Sequence, residues 1–350
     1  MASDSIIKRL PYIDNARAFA ILCVVLGHVI SQIIILRDNK CGLALEHYIV
    51  VFDMPLFTIL SGYCGINSMK RITNIKEWGG YLLKQFRRLL MPAIVIGGLT
   101  FLVKLRSFTN YDLISGMGYW YLAMLFYVMS ISSFFVWTLK KTNILFICAV
   151  VLAFSSLLFP LDSVLLRDMM PYFVLGILCK EFDIFEKCLS NRLLVIIIFL
   201  LTFSLFLILD ASGCLTNYLG YIYTKTFGYF VENDNLHLWV IRLALCAMTS
   251  LAIIGVFRVH NSSIFFLTKI GSYTLPLYIF SNLFFWLFNN QIIYDRIVNS
   301  SLFHWMTAND VSRWLSAILV FALITLLSWM LILICNRFEF SRKLFLGKFN

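Results

Sequence analysis

The chain alternates long apolar runs with short polar connectors. Read against the roughly 20 residues that an α-helix needs to cross a hydrocarbon core, the runs predict ten membrane helices, at about residues 16–36, 48–67, 89–106, 119–138, 143–160, 168–180, 192–209, 238–257, 272–290 and 312–335. The sixth run is short and carries Pro171 and Gly176. The first run follows Asp14 and Arg17 and is too long for the apolar core of a cleavable signal. No internal repeat, low-complexity tract or flexible linker interrupts the pattern, so residues 1–350 are expected to form a single all-α transmembrane domain, a polytopic helical bundle.

Composition agrees with this pattern. Of 350 residues, 61% are hydrophobic and 13% charged, against roughly 45–50% and 25% in a soluble domain. So little polar material cannot cover a water-facing surface, which excludes a secreted enzyme, a disordered chain and a simple peripheral anchor. The net charge of +11 does not indicate nucleic acid, because the basic residues lie in short connectors where they set topology. Lys8, Arg9, Lys70, Arg71, Lys84, Arg87, Arg88, Lys140, Lys141, Lys180 and Arg337 fall on one predicted side. Arg37, Lys40, Arg167, Lys225 and Arg296 are among the few on the other. This asymmetry predicts that both termini are cytoplasmic. The nine cysteines show no CxxC pair and no Cys/His spacing suited to zinc, so no metal is expected. Cys41 and Cys214 both fall in predicted outer connectors, where a disulfide is conceivable.

Ionisable residues at membrane depth cost several kcal/mol and need a partner or a task. His28 lies near the middle of the first run. Eleven positions separate it from Arg17, about 20° of net rotation and about 16 Å of rise on an α-helix. Asp14, Arg17 and His28 therefore share one helix face. Either they do chemistry or His28 is hydrogen-bonding glue between helices. Lys84, Arg87 and Arg88 precede the third run; Lys84 and Arg88 are i,i+4 neighbours. Guanidinium groups there suit phosphates, and equally a positive-inside stop. Asp53, just inside the second run, precedes Pro55, which disturbs helical hydrogen bonding; its carboxylate is functional or sits at the interface in water. Ser61-Gly62 permits close helix packing. Trp120 and Tyr121 open the fourth run, where aromatics commonly form an interfacial belt. The segment 271–278, GSYTLPLY, is a Pro-interrupted start to the ninth run, and interrupted helices line cavities.

In combination these segments resemble the acyltransferase-3 family of integral-membrane O-acyltransferases, and within it the fucose 4-O-acetylase-like branch. YIDNARAFAILCVVLGH looks like the family's first-span signature, FDMPLFTILSGY is similar to its FHMPLFFFLSGY, and FRRLLMP matches its basic helix start. YWYLAMLFY, PYFVLGILCK and GSYTLPLYIF fit its later spans. The likeness is collinear from about residue 11 to 281. It implies acetyl-CoA as a cytoplasmic acyl donor and a sugar hydroxyl of a surface polysaccharide or lipid-linked oligosaccharide as acceptor, in a cell membrane, typically the bacterial inner membrane. It implies His28 as catalytic histidine with Asp14 and Arg17 as partners, donor binding by Arg88 with Arg87 and Lys84, and acceptor binding by Asp53, Trp120 and Tyr121. Three positions depart from the family pattern. Gln85 replaces the first arginine of an Arg-x-x-Arg pair, Asp53 replaces a histidine before Met-Pro, and Ser281 replaces a later histidine. A neutral histidine near its working pKa suits removal of a hydroxyl proton, directly or through an acyl-histidine relay. A transporter or an export accessory protein for lipid-linked sugars is the rival reading, since intramembrane charge and broken helices suit transport as well.

Overall fold

A computed structural model describes residues 10–32, 39–103, 118–157, 165–215, 235–288 and 299–347. Among these residues every regular element is helical. Those used below are α1 (Pro11–Gln32), α2 (Lys40–Lys70), α3 (Ile75–Gln85), α4 (Met91–Val103), α5 (Trp120–Thr138), α6 (Ile144–Ser156), α7 (Leu166–Glu181), α8 (Ile184–Lys187), α9 (Arg192–Ala211), α10 (Leu236–His260), α11 (Phe265–Gly271), α12 (Thr274–Phe288), α13 (Ser301–Met306), α14 (Asp310–Arg337) and α15 (Glu339–Leu346). The chain is an all-helical, multi-pass membrane protein.

Six helices are long and apolar enough to cross a bilayer: α1, α2, α5, α9, α10 and α14. The other four predicted runs also fall on helices, α4, α6, α7 and α12, but these have only 13 to 16 residues. At 1.5 Å per residue their described parts extend about 20–24 Å, against a roughly 30 Å core, and α4 runs on from α3 without a break. Helix starts follow asparagine chemistry. The Asn39, Asn74, Asn143, Asn191 and Asn309 side chains each accept a backbone N–H of the first turn, satisfying donors that an α-helix leaves open.

The bundle is organised on α2, which is mostly buried, whereas α9 and α14 leave most of their apolar surface outward, as lipid-facing helices do. Helix α2 packs most extensively on α7 and also on α1, α5 and α10. Glycine makes the α2–α7 crossing possible. A Cβ on Gly62 would run into the Phe173 carbonyl oxygen, and one on Gly176 into the Ile59 carbonyl oxygen. The close packing expected of Ser61-Gly62 is therefore present, with Gly176 as its counterpart.

Asp53 lies farther into the bundle than the sequence placed it. Helix α2 starts at Lys40, well before the predicted residue 48, so Asp53 falls near the middle of a 31-residue helix and is only 6% exposed. A carboxylate head in interfacial water is excluded. Its Oδ1 accepts the Met54 N–H at 2.5 Å, beside the break in the amide ladder at Pro55. Cys41 and Cys214 are free thiols, so the conceivable disulfide is not formed. Most of the two long outer connectors, at 216–234 and 289–298, and Lys8, Arg9, Arg37, Lys225 and Arg296 lie outside the described residues.

Candidate functional site

A cavity of about 620 Å³ opens at the end of the bundle where α1 begins and α2 and α7 finish. That volume lies within the range of small-molecule sites. Asp14 and Arg17 of α1, Ser61, Cys64 and Asn67 of α2, Tyr121 of α5 and Lys180 of α7 line it. Along α2 the lining runs from Asn67 to Met54, about 20 Å of helix. The cavity is therefore long as well as wide.

Each functional side chain is held by identifiable local structure. The start of α1 is tied to α11 and to the segment before it by Asn15, whose Nδ2 donates to the Ser262 carbonyl at 2.9 Å and whose Oδ1 accepts from the Thr268 hydroxyl at 3.0 Å. Gly271 ends α11 against the Asp14 backbone, where a Cβ would collide with the Asp14 carbonyl oxygen. Asp14 is 7% exposed, and its Oδ2 is buried with no hydrogen-bond partner. Unpaired buried carboxylate oxygens are costly, so this atom is an acceptor suited to a donor from a bound molecule.

Arg88 is positioned by a π-helical segment, Phe86–Leu90, which joins α3 to α4 without a break. The wider turn re-aims the side chains around it. As a result Arg88 lines the cavity while Lys84 and Arg87, though exposed, do not. The shared face expected for Lys84 and Arg88 on a regular helix thus does not translate into a shared cavity. Arg88 stays open to solvent through the cavity mouth, within electrostatic reach of Arg17. Gly347, with φ of +61°, follows α15 and packs on the Arg88 backbone; a Cβ there would lie 2.6 Å from the Arg88 carbonyl oxygen. Leu346 and Gly347 complete the cavity wall.

At the deep end, the Tyr121 hydroxyl lies 3.5 Å from Thr58 Oγ1 and feels the charges of Arg17 and Asp53. Trp120 packs edge-on against Tyr121, with ring centroids 5.8 Å apart, but does not line the cavity, and neither does Asp53, although its neighbour Met54 does. The interrupted segment anticipated from GSYTLPLY forms the opposite wall, through Gly271, Ser272, Thr274, Leu275, Pro276 and Tyr278. Sequence reasoning thus reached Asp14, Arg17, Arg88, Tyr121 and the α11–α12 turn. It gave no site role to Lys180, Asn67, Cys64 or the chain after α14. Lys180 ends the quoted PYFVLGILCK motif, which was the available signal.

His28 is not part of the cavity wall. On α1 the lining stops at Arg17. The His28 ring packs on Phe285 of α12 at 5.3 Å, within a second apolar cluster that includes Val25, Val29 and Ile324. Its neighbour Gly27 faces Ile49, five residues beyond Met54 on α2, or about 7 Å of helix. The histidine therefore sits roughly one turn past the deep end of the cavity, and the residues between remain packed.

The fold and the site together define a multi-pass membrane protein with a deep, cation-bearing cavity at one mouth and a half-buried histidine beyond its inner end. The family described as acyltransferase domain, acyltransferase-3, matches residues 10–333. The match covers nearly the whole chain, and the chain belongs to that family of membrane acyltransferases. No curated protein matches, and no solved structure matches.

Proposed function

We propose that the chain is an O-acetyltransferase of the cell membrane, in bacteria the inner membrane, that moves an acetyl group from cytoplasmic acetyl-CoA to a sugar hydroxyl of a surface polysaccharide or its lipid-linked precursor. The observation that carries the reading is the shape and charge of the cavity. Two guanidinium groups, from Arg17 and Arg88, face one long cleft whose far end approaches His28. Guanidinium groups bind phosphate oxygens by paired, charge-assisted hydrogen bonds, and the length of the cleft suits an extended thioester arm. The unpartnered Asp14 Oδ2 offers an acceptor to an amide or hydroxyl of the same molecule.

In this scheme His28 takes the proton from the acceptor hydroxyl while the hydroxyl oxygen attacks the thioester carbonyl. The carbon–sulfur bond then breaks, and the leaving thiolate takes up that proton to give CoA and neutral His28. Asp53, Trp120 and Tyr121 hold the sugar in this scheme, Tyr121 from the cavity wall; the fucose 4-O-acetylase-like motifs support a sugar acceptor. The His28 ring packs on Phe285, beside Val25 and Val29, and a general base acts through a neutral imidazole. The ten-span topology has both termini and Arg88 on the cytoplasmic side, from the basic asymmetry of the connectors. Reporter fusions at residue 350 and within 210–237 should then read opposite sides. The test of function is acetyl-CoA-dependent labelling of glycan in membranes carrying the protein, together with glycan mass spectrometry of a deletion strain. Loss of one acetyl mass per repeating unit on deletion is expected. An unaltered glycan and no labelling would rule the assignment out.

A further inference from the structure

The cavity holds a third cation with no assigned part in transfer. Lys180, at the last turn of α7, lines it together with Arg17 and Arg88. Its Nζ lies 5.0 Å from the centroid of the Tyr63 ring, which is itself stacked on Phe185 at 4.3 Å. The α2–α7 glycine crossing fixes this location, because Gly62 precedes Tyr63 and Gly176 lies one turn before Lys180. The lysine is thus carried on the most closely packed helix pair in the bundle.

The nearby carboxylates are committed elsewhere. Glu181 pairs with Lys70 at 2.7 Å, Asp183 with Lys187 at 3.6 Å, and Glu186 with Arg258 while accepting from Tyr12. Among the described residues Lys180, Arg17 and Arg88 take no part in an ion pair, and Asp14 is the only carboxylate of the cavity wall. Three cations against one carboxylate leave the cleft with a net positive charge of two. Like charges lining one cavity repel one another, and a ligand carrying several negative charges relieves that repulsion. A lysine whose task is topology alone has no need to sit inside a cavity; Lys70, on the same end of the bundle, is exposed and ion-paired.

We propose that Lys180 is a phosphate-binding residue of the donor site, and that with Arg17 and Arg88 it makes the site selective for a thioester carried on a phosphorylated nucleotide over one carried on a short neutral arm. This rests on the cavity being the donor site. The lysine contributes a mobile point charge beside two planar forks, held near the mouth by the Tyr63 face.

The experiment compares acetyl-CoA with S-acetyl-pantetheine, which lacks the nucleotide, on purified wild-type protein, Lys180→Gln, Lys180→Arg and the control Lys187→Gln. Lys180→Gln should raise the KM for acetyl-CoA roughly 10- to 100-fold, as loss of a hydrogen bond to a charged group does. Its kcat, its acceptor KM and its KM for S-acetyl-pantetheine should not change. Lys180→Arg should keep most of the preference for acetyl-CoA, and Lys187→Gln all of it. Equal losses on both donors, a shift confined to the acceptor KM, or an unchanged KM for acetyl-CoA would each overturn the inference. Direct binding of 3′,5′-ADP to the same proteins separates this inference from the functional reading. If wild-type protein transfers no acetyl group, the functional reading fails, and the nucleotide still has to bind wild type more tightly than Lys180→Gln for the role of Lys180 to stand. Equal binding would remove it.

Discussion

Arg17 and Arg88 face the same cavity from α1 and from the π-helical start of α4, close enough for their charges to act on one another. Two like charges kept together without an ion-pair partner among the described residues make sense around an anion. Arg88→Ala should raise the KM for acetyl-CoA more than that for the acceptor, by roughly 10- to 100-fold. Arg88→Lys should recover only part, because it keeps charge without the planar fork. If Arg88 sets topology alone, its loss lowers the inserted amount and leaves the kinetics of the inserted protein unchanged. Kinetics normalised to purified protein tell the two apart.

His28 lies about one helical turn beyond the cavity, packed on Phe285. His28→Ala should reduce transfer roughly 10²–10⁴-fold, the usual contribution of a general base, while insertion and donor binding persist. Donor affinity is the informative readout, since the histidine does not line the cavity. A variant that loses activity and donor affinity together would mean that the site collapses without His28. Near-normal turnover would remove it from the chemistry.

The parts of the site legible in the sequence share a property: each is set by local chain chemistry. Asp14 and Arg17 fall on one face of α1 by helical periodicity alone. The break at Ser272-Tyr273, two residues before the Leu275-Pro276 pair, marks a cavity wall because backbone polar groups freed inside a membrane need a polar neighbour. Gly62 signals close approach because only a missing Cβ allows it. The remaining parts depend on tertiary placement. Lys180 reads as one more cytoplasmic cation until α7 is packed on α2. Leu346 and Gly347 lie after the end of the family match at residue 333, and they reach the cavity only because α15 folds back onto α4 and α12. The separation of Arg88 from Lys84 and Arg87 depends on a π-helical turn, and periodicity counted at 3.6 residues per turn cannot show that.

The Gly62–Gly176 contact yields a stability prediction. At each position an added Cβ meets backbone, the carbonyl oxygen of Phe173 or of Ile59, which cannot swing aside as a side chain does. Gly62→Ala and Gly176→Ala should each destabilise by about 1–3 kcal/mol or more, the cost of overpacking a close-packed interior. Thermal unfolding in detergent measures this, with Gly79→Ala as control because nothing lies within 4 Å of a Cβ there. Since α7 also carries Lys180, the two glycine variants should raise the KM for acetyl-CoA in whatever fraction stays folded.

The last prediction concerns the far end of α7. Asp168 and Arg242 form an ion pair between α7 and α10 with side-chain exposures of only 2% and 3%, and Trp239 Nε1 donates to the same carboxylate oxygen at 3.0 Å. A buried pair contributes little net stability because desolvating two charges offsets much of their attraction, but removing one partner strands the other. Asp168→Leu or Arg242→Met alone should therefore cost about 3–5 kcal/mol, enough to lower the yield of folded protein sharply. Replacing both residues together, Asp168→Leu with Arg242→Met, should cost much less than the two single losses combined, since neither partner of the pair is left alone, and the buried Arg167 next to Asp168 is common to all four proteins. Unfolding of the four proteins in one detergent gives the coupling directly. Additive losses would mean that the two residues do not act as a pair, and that each is held by other neighbours in the bundle.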